Sequence, residues 1–536
     1  MQKLNTTLET ETLIIGGGIA GIVTALELVQ AGRQVMLVEK QQASQSGGLA
    51  RWAFGGMALV GTELQQRMGI SDTPQRALAD WRSFAGFSQS DFWPKAWADF
   101  YVNHSNDMVY QWLKKKGFEF MPAVNWVERG LHGDGNSLPR YHVLWGTGQG
   151  LVEGLLEELC QPKFQTLVSL RFACQASTIE QLDDGFQCLI EPDDGETYRV
   201  KAKNLVVASG GINGSVERVQ QNWPKDQGPM PADILNGASP DADGQVHDEV
   251  SRLGGQLTHL DKMWNYAAGI AHPKPHFPGH GLSLIPCKSA LWVNALGERI
   301  GPMPLITGFD TNDLCRQVNE QPYGYTWHVL NKRIAMKELA ISGSEHNPNI
   351  RDKRKLSFFR DVLFGNQQLI QQMLEESDDF ICADSVSELT DKMNQLTGNN
   401  AIKAHVLQQQ LDAFDAQLAA KPALQNDDQI RRINHARQWR PDRLRTCKPS
   451  PIQIPKNGPL IAIRLRFISR KSLGGIQTNL QSQVLDDGQT PIPGLYSVGE
   501  AAGFGGGGIS GRRSLEGTFL SSCILTARQA AKHIIG

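Results

Sequence analysis

No uninterrupted apolar run in this chain approaches the ~20 residues that a membrane-crossing helix requires, which sets aside a protein of that kind. Met1 to Thr10 is polar and carries neither the basic nor the apolar region of a secretory leader. Cysteines are isolated: the eight of them, from Cys160 to Cys523, form no CxxC pair, so no zinc ribbon, redox dithiol, iron–sulfur cluster or other metal centre is expected. Scattered thiols fit a reducing cytoplasm, the compartment expected here. Excess charge of one sign is missing too. Lys+Arg 53 against Asp+Glu 55 leaves −2, so no global field recruits nucleic acid or an anionic membrane.

What the chain has in excess is glycine, 54 residues of 536, where average usage is roughly 7%. Without a collagen-like period, this predicts many places where backbone must approach a ligand closely. The length predicts more than one domain, and 40% hydrophobic with 20% charged residues predicts a globular fold.

Thr12 to Ile15 reads as a buried strand, Ile22 to Ala31 as a helix stopped by Gly32, and Val35 to Glu39 as a second strand ending in an acid, a complete βαβ unit. Gln149 to Leu159 is predicted helical. Between Thr166 and Val200, turns at Asp183–Gly185 and Asp193–Gly195 predict antiparallel hairpins, followed by a buried strand at Leu205 to Ala208. From about Met263 to Phe467, proline-rich loops mix with polar helical stretches at Val362 to Glu376 and Ala401 to Leu418, which fits an inserted domain. A last strand, Leu495 to Val498, precedes Gly499-Glu500, the run Gly503 to Gly508 and a closing helix over about Leu515 to Ile535.

Gly16, Gly18 and Gly21 fit G-x-G-x-x-G between strand and helix. The first permits the tight turn, the second lets backbone reach a pyrophosphate, and the third lets helix and strand pack closely. The helix start around Ile19 and Ala20 offers free N–H groups to phosphates. Glu39, with Lys40 beside it, is placed to accept hydrogen bonds from the adenosine ribose, and its charge repels a 2′-phosphate. An acid at the chain's last strand, Glu500 after Gly499, suits a ribityl hydroxyl, which favours FAD over NAD.

These features resemble the FAD-dependent family of fumarate reductase and succinate dehydrogenase flavoproteins, L-aspartate oxidase and 3-ketosteroid dehydrogenases. The matches run in family order: Gly16 to Glu39; Ser46-Gly47-Gly48 with Phe54-Gly55-Gly56-Met57; Ala208-Ser209-Gly210-Gly211; Asp243-Gly244; Val293 to Arg299; Leu473 to Ile476; and Gly494 to Glu500. The run Gly503 to Gly508 with Leu515 to Phe519 resembles the poorly characterised FAD-binding dehydrogenase branch. The resemblance implies an α/β architecture: a Rossmann-like FAD-binding domain with a β-meander over residues 1–265 and 468–536, and an inserted α+β capping domain over 266–467. It places Gly48 and Gly56 near the ribityl–isoalloxazine part, Glu500 on the ribityl chain, and Thr518 and Phe519 at the flavin N1/O2 edge. Some relatives carry the flavin on a histidine before the second glycine cluster. Gln42 to Phe54 holds none, so FAD is expected to be non-covalent.

The substrate side departs from the dicarboxylate members. Leu305 to Leu314 has no arginine where they carry a proton donor, Arg470-Lys471-Ser472 has no histidine, and Ser514 stands where they have a substrate arginine, although Arg512 and Arg513 adjoin it. The tyrosines of the ketosteroid enzymes do not transfer position by position either. Local chemistry nominates Tyr141 and His142 as acid or base, Lys471 with Arg470 to polarise a carbonyl, Arg513 for an anionic group, and Tyr323 and Tyr325 in the cap. The basic stretch Arg431 to Arg445 reads as a solvated or cap–FAD contact surface. The expected function is C–C dehydrogenation or ene-reduction of a small, carbonyl-activated, possibly steroid-like molecule, with an unidentified electron acceptor. A fumarate reductase or L-aspartate oxidase with a rearranged arginine clamp, and a non-catalytic FAD-binding subunit, are the alternatives.

Overall fold

A computed structural model describes residues 6–131, 133–301, 310–513 and 515–536. Its first layer is a parallel sheet in the spatial order Pro491–Ser497, Tyr198–Val207, Thr7–Ile15, Val35–Val38 and Val168–Arg171. Leu13 and Ile14 are fully buried on opposite faces of the central strand, each worth roughly 1.5–3 kcal/mol. The helix Ile19–Gln30 packs against the closing helix Thr518–Ile535, so the two ends of the chain complete one core.

The hairpin Cys174–Leu182 and Gly185–Pro192 turns at Asp183–Gly185, then pairs antiparallel with Tyr198–Val207. That last strand is longer than the sequence suggests. Its first half belongs to the meander and its second half, where Leu205 pairs with both Leu13 and Leu495, to the parallel sheet. Val168–Arg171 is not a meander strand. It returns from the helix Thr147–Leu159 and pairs parallel with Val35–Val38, as a helical crossover demands.

The second layer is built on Leu460–Ser472, thirteen residues paired with Tyr325–Asn331, Met263–Ala271, Phe380–Ala383 and, in parallel, Ile234–Asn236. Helices Gln367–Glu376, Val386–Thr397 and Ala404–Ala419 close its core. The single helix expected over Val362 to Glu376 is two, Lys355–Phe364 and Gln367–Glu376. Gly365 at φ +95° breaks the helix, and the Asn366 side chain caps the second by accepting the Leu369 N–H.

Leu460–Ser472 also joins the layers. Its end delivers Arg470, Lys471 and Ser472 to the first sheet, where the Ser472 N–H donates to Glu500 at 3.0 Å and its hydroxyl accepts the Ile212 N–H at 2.9 Å.

Candidate active site

The glycine-rich turn has the shape its spacing predicts. Gly16 stands at φ +109°, and a Cβ there would lie 2.4 Å from the Ala208 carbonyl oxygen. A Cβ on Gly21 would lie 2.0 Å from the Gly16 oxygen, whereas one on Gly18 would meet nothing within 4 Å. The outer two glycines are therefore required by packing, and the middle one opens onto a cleft. Gly18 bridges to Gly47, which brings the second glycine cluster to the same wall. Gly21→Ala is expected to purify with markedly less flavin, read from the flavin-to-protein absorbance ratio, because helix and strand must separate to admit one methyl group.

The cleft holds about 2030 Å³ of atom-free space, part of it open to solvent. At one end Glu39 accepts the Gly17 N–H at 2.5 Å and the Gln41 N–H at 2.8 Å, and burial raises its pKa. Lys40 pairs there with Asp241 and Asp243. Gly16, Gly18, Ile19, Ala20, Gly47, Gly48, Gly56, Ala208, Ser209, Gly210, Glu500 and Phe519 all line its length. Gly21, Met57, Gly499 and Thr518 support the wall from behind: Met57 is fully buried, the Gly499 N–H donates to Thr526, and the Thr518 hydroxyl donates to the Leu515 carbonyl.

At the far end Tyr141 sits on Tyr141–Val143, paired with Gly56–Ala58. Its ring fills a slot between two glycines: a Cβ on Gly56 would lie 1.9 Å from it and one on Gly517 2.7 Å. Gly517, at φ +88°, begins the closing helix, whose positive end thus faces the same space. Lys471 Nζ stands 4.5 Å from the Phe519 ring centroid and 5.3 Å from that of Trp264, and the two rings pack 4.5 Å apart. Arg470 donates to the Ser283 hydroxyl at 2.6 Å, and Glu516 joins the lining.

Burial and the Glu516 carboxylate raise the pKa of Tyr141 and of Tyr266, while the Arg470 charge opposes both shifts. The phenols are therefore protonated at neutral pH. Burial raises Glu500 and Glu516 and lowers Lys471, with Arg470 adding to the lysine's shift, so these groups hold one another's charge in a desolvated pocket.

Four nominated residues lie elsewhere: His142, Arg513, Tyr323 and Tyr325. His142 faces away from the cleft and is fully buried, its ring nitrogens 2.8 Å from the Thr62 hydroxyl and 2.7 Å from the Arg140 carbonyl oxygen. Desolvation lowers its pKa to about 4. Arg513 pairs with Asp310 at 3.2 Å over the Phe84 ring, and Arg512 is exposed with its guanidinium against Gly86, so neither reaches the cleft. Tyr323 is exposed, and the Tyr325 hydroxyl accepts from Asn399 within the cap. Residues 302–309, which include the first half of the stretch without an arginine, and Ser514 lie outside the described residues.

Sequence reasoning missed Tyr266, Glu516 and Glu128. Glu128 is 2% exposed, accepts the Thr311 and Glu516 N–H groups at 3.3 and 3.0 Å, and has a pKa raised by burial to about 8. Glutamine at this position titrates in neither state. In wild type the unfolded chain releases this proton near 4.5 while the folded chain keeps it to about 8, so folding stability contributed by this group falls as pH rises between those values. Thermal melts across that range are expected to shift steadily in favour of Glu128→Gln relative to wild type. A pH-independent offset would remove the assignment.

A cap-side group also lines the cleft: His272, His276, His280, Glu345 and His346, with Trp52 stacked on the His276 ring. Two triads of it, both containing His272, set their donor atoms within 4.8 Å of one another. The His272 Nδ1 accepts the Lys274 N–H at 3.0 Å and the His280 Nδ1 accepts the His276 N–H at 3.3 Å. In their neutral rings Nε2 then carries the hydrogen, and His272 donates it to Glu345 at 3.1 Å. Glu345 also stands 3.5 Å from the His276 Nε2, and among the described residues the buried His346 Nε2 has no hydrogen-bond partner.

Fold and cleft together define a class, a two-layer flavoprotein oxidoreductase. The open Gly18 face, the Glu39 carboxylate, the Glu500 carboxylate and the positive end of the closing helix fit the successive parts of FAD. The chain belongs to the FAD-binding domain family, whose match covers residues 11–520. It is 36% identical over 548 residues to a KsdD-like steroid dehydrogenase of Mycobacterium tuberculosis (strain CDC 1551 / Oshkosh), covering 98% of this chain and 95% of that protein. The 3-ketosteroid Δ1-dehydrogenase of Sterolibacterium denitrificans, solved with 1,4-androstadiene-3,17-dione, has a similar fold, with a TM-score of 0.72, 16% identity and coverage of 98% and 99% of the two chains. An open flavocytochrome c3 fumarate reductase gives 0.68 at 19% identity, covering 99% of this chain and 79% of the other.

Proposed function

We propose that this enzyme dehydrogenates the C–C bond beside the carbonyl of a 3-ketosteroid-like substrate, with FAD held non-covalently by residues 1–265 and 468–536 and the substrate covered by 266–467. The observation that carries this is the gathering of Tyr141, Arg470 and Lys471 at one desolvated end of the cofactor cleft, with Tyr266 behind them in electrostatic reach of Tyr141 and Arg470. FAD, when bound, supplies the hydride acceptor. Arg470, steadied by Ser283, stabilises negative charge that develops on the carbonyl oxygen. Tyr141 moves the proton at the carbon beside the carbonyl, Arg470 favouring its phenolate and Glu516 its phenol. Phe519, backed by the buried Trp264, gives the substrate an apolar wall and excludes water. An external acceptor completes turnover.

The displacement of Arg512 and Arg513 from the cleft speaks against a dicarboxylate clamp. Anaerobic titration with a panel of 3-ketosteroids is expected to bleach the flavin spectrum, whereas fumarate is expected not to reoxidise chemically reduced enzyme. A panel without bleaching would sink the substrate class. Acid precipitation should release intact FAD into the supernatant, since residues 42–54 hold no histidine to tether it; flavin remaining in the pellet would refute non-covalent binding.

A further inference from the structure

The cap carries a surface for which the cleft has no use. On the helix Lys355–Phe364 no residue is buried, and Leu356, Phe359 and Leu363 project outward at a spacing of three and four, 88%, 44% and 57% exposed, with Phe364 at 77%. Monomeric proteins rarely leave such contiguous apolar side chains in water. Leu363 and Phe364 also form one side of a hollow whose charged lining residues are all cationic. Lys332, Arg333 and Lys337 come from the helix Lys332–Glu338, Arg437 and Arg443 from the segment preceding Lys448, and Lys456 from the next turn. Among the described residues no carboxylate lines the hollow.

Among the described residues none of these cations is ion-paired. Lys337 donates to the Val362 and Leu363 carbonyls, Arg333 to the Asn457 side chain and Arg437 to the Thr446 carbonyl. The nearby Asp442 is taken by Arg129, and Asp361 by Asn349 and Arg360. With a net charge of −2 over the whole chain, seven uncompensated cations in one hollow are a local concentration, not a sample of the average.

We propose that this face docks on an anionic lipid bilayer. The outward residues of Lys355–Phe364 enter the acyl boundary, and lipid phosphates occupy the cationic hollow beside them. Charge complementarity selects this occupant. A second copy meeting the face symmetrically would bring the same cations onto themselves, and a nucleic acid has no use for the exposed leucines. The proposal does not depend on the substrate assignment, although a bilayer is where an apolar substrate partitions.

The test is co-sedimentation of the holoenzyme with vesicles of phosphatidylcholine alone or mixed with phosphatidylglycerol. Binding is expected only to the anionic vesicles and is expected to weaken as salt rises. Lys448→Glu/Lys456→Glu should lower vesicle affinity about 25-fold or more, from about fivefold per lysine, and Leu363→Ser/Phe364→Ser about tenfold. All four side chains are exposed, and unchanged melting temperature and flavin content would show that the variants fold. No vesicle binding, equal binding to both compositions, or indifference to either double variant overturns the proposal. So does binding of duplex DNA in place of vesicles, or concentration-dependent self-association that Leu363→Ser/Phe364→Ser abolishes while vesicles remain unbound.

Discussion

Replacing Tyr141 by phenylalanine is expected to lower kcat on a 3-ketosteroid by about 10²–10⁴ while leaving flavin content unchanged. The separation of the two effects follows from the packing. Gly56 and Gly517 leave the Tyr141 ring a slot that phenylalanine fills equally well, so the cleft wall keeps its shape and only a hydroxyl is lost. That hydroxyl is the group whose charge state Arg470 and Glu516 bias in opposite senses. A variant with full activity would move the proton-transfer role to Tyr266 or Lys471. A variant that also loses flavin would mean that the ring's packing, not its hydroxyl, is what matters. His142→Gln serves as a contrast: it should cost stability through the Thr62 and Arg140 contacts rather than change the pH dependence of turnover.

The glycine-rich wall of the cleft was legible because its demands are written in backbone. Gly16 and Gly21 each answer a steric demand that no other residue meets, Gly18 between them keeps its face open to the cleft, and such demands leave a spacing in the sequence. Glu39 and Glu500 were readable for a similar reason, since each ends a strand whose apolar run is visible. The substrate end has no such grammar. Tyr266 lies in Met263–Ala271, whose apolar stretch is indistinguishable by pattern from any buried strand, and only that strand's pairing with Leu460–Ser472 brings it within electrostatic reach of Arg470. Glu516 was passed over because it sits inside a turn recognised for its glycine. His142 misled for the converse reason: adjacent residues on a strand face opposite sides, so Tyr141 in the cleft puts His142 behind it. Arg513 was nominated by neighbourhood, and the structure gives its charge to Asp310 instead.

Arg470→Met is expected to lower kcat/KM on the ketone by about 10²–10³, the cost of losing one preorganised donor to a developing oxyanion. Methionine keeps much of the side chain's length, so the loss isolates the charge. The guanidinium is costly to bury: desolvation lowers its pKa, and Glu516, Glu500 and the two tyrosines are the groups that offset this. Arginine in such a pocket persists because its neighbours need it. Removing it should therefore disturb them in a defined direction. Glu516 and Glu500 lose a stabilising positive charge, so their already raised pKa values rise further and deprotonation requires more alkaline solution. If Glu516 must be ionised for turnover, the acid limb of the kcat/KM profile moves to higher pH in Arg470→Met, and Arg470→Lys, which restores the charge without the donor fork held by Ser283, moves it back while recovering only part of the rate. A merely structural arginine would give neither the shift nor its reversal: both variants would lose activity together with melting temperature, and their pH profiles would superimpose on that of the wild type.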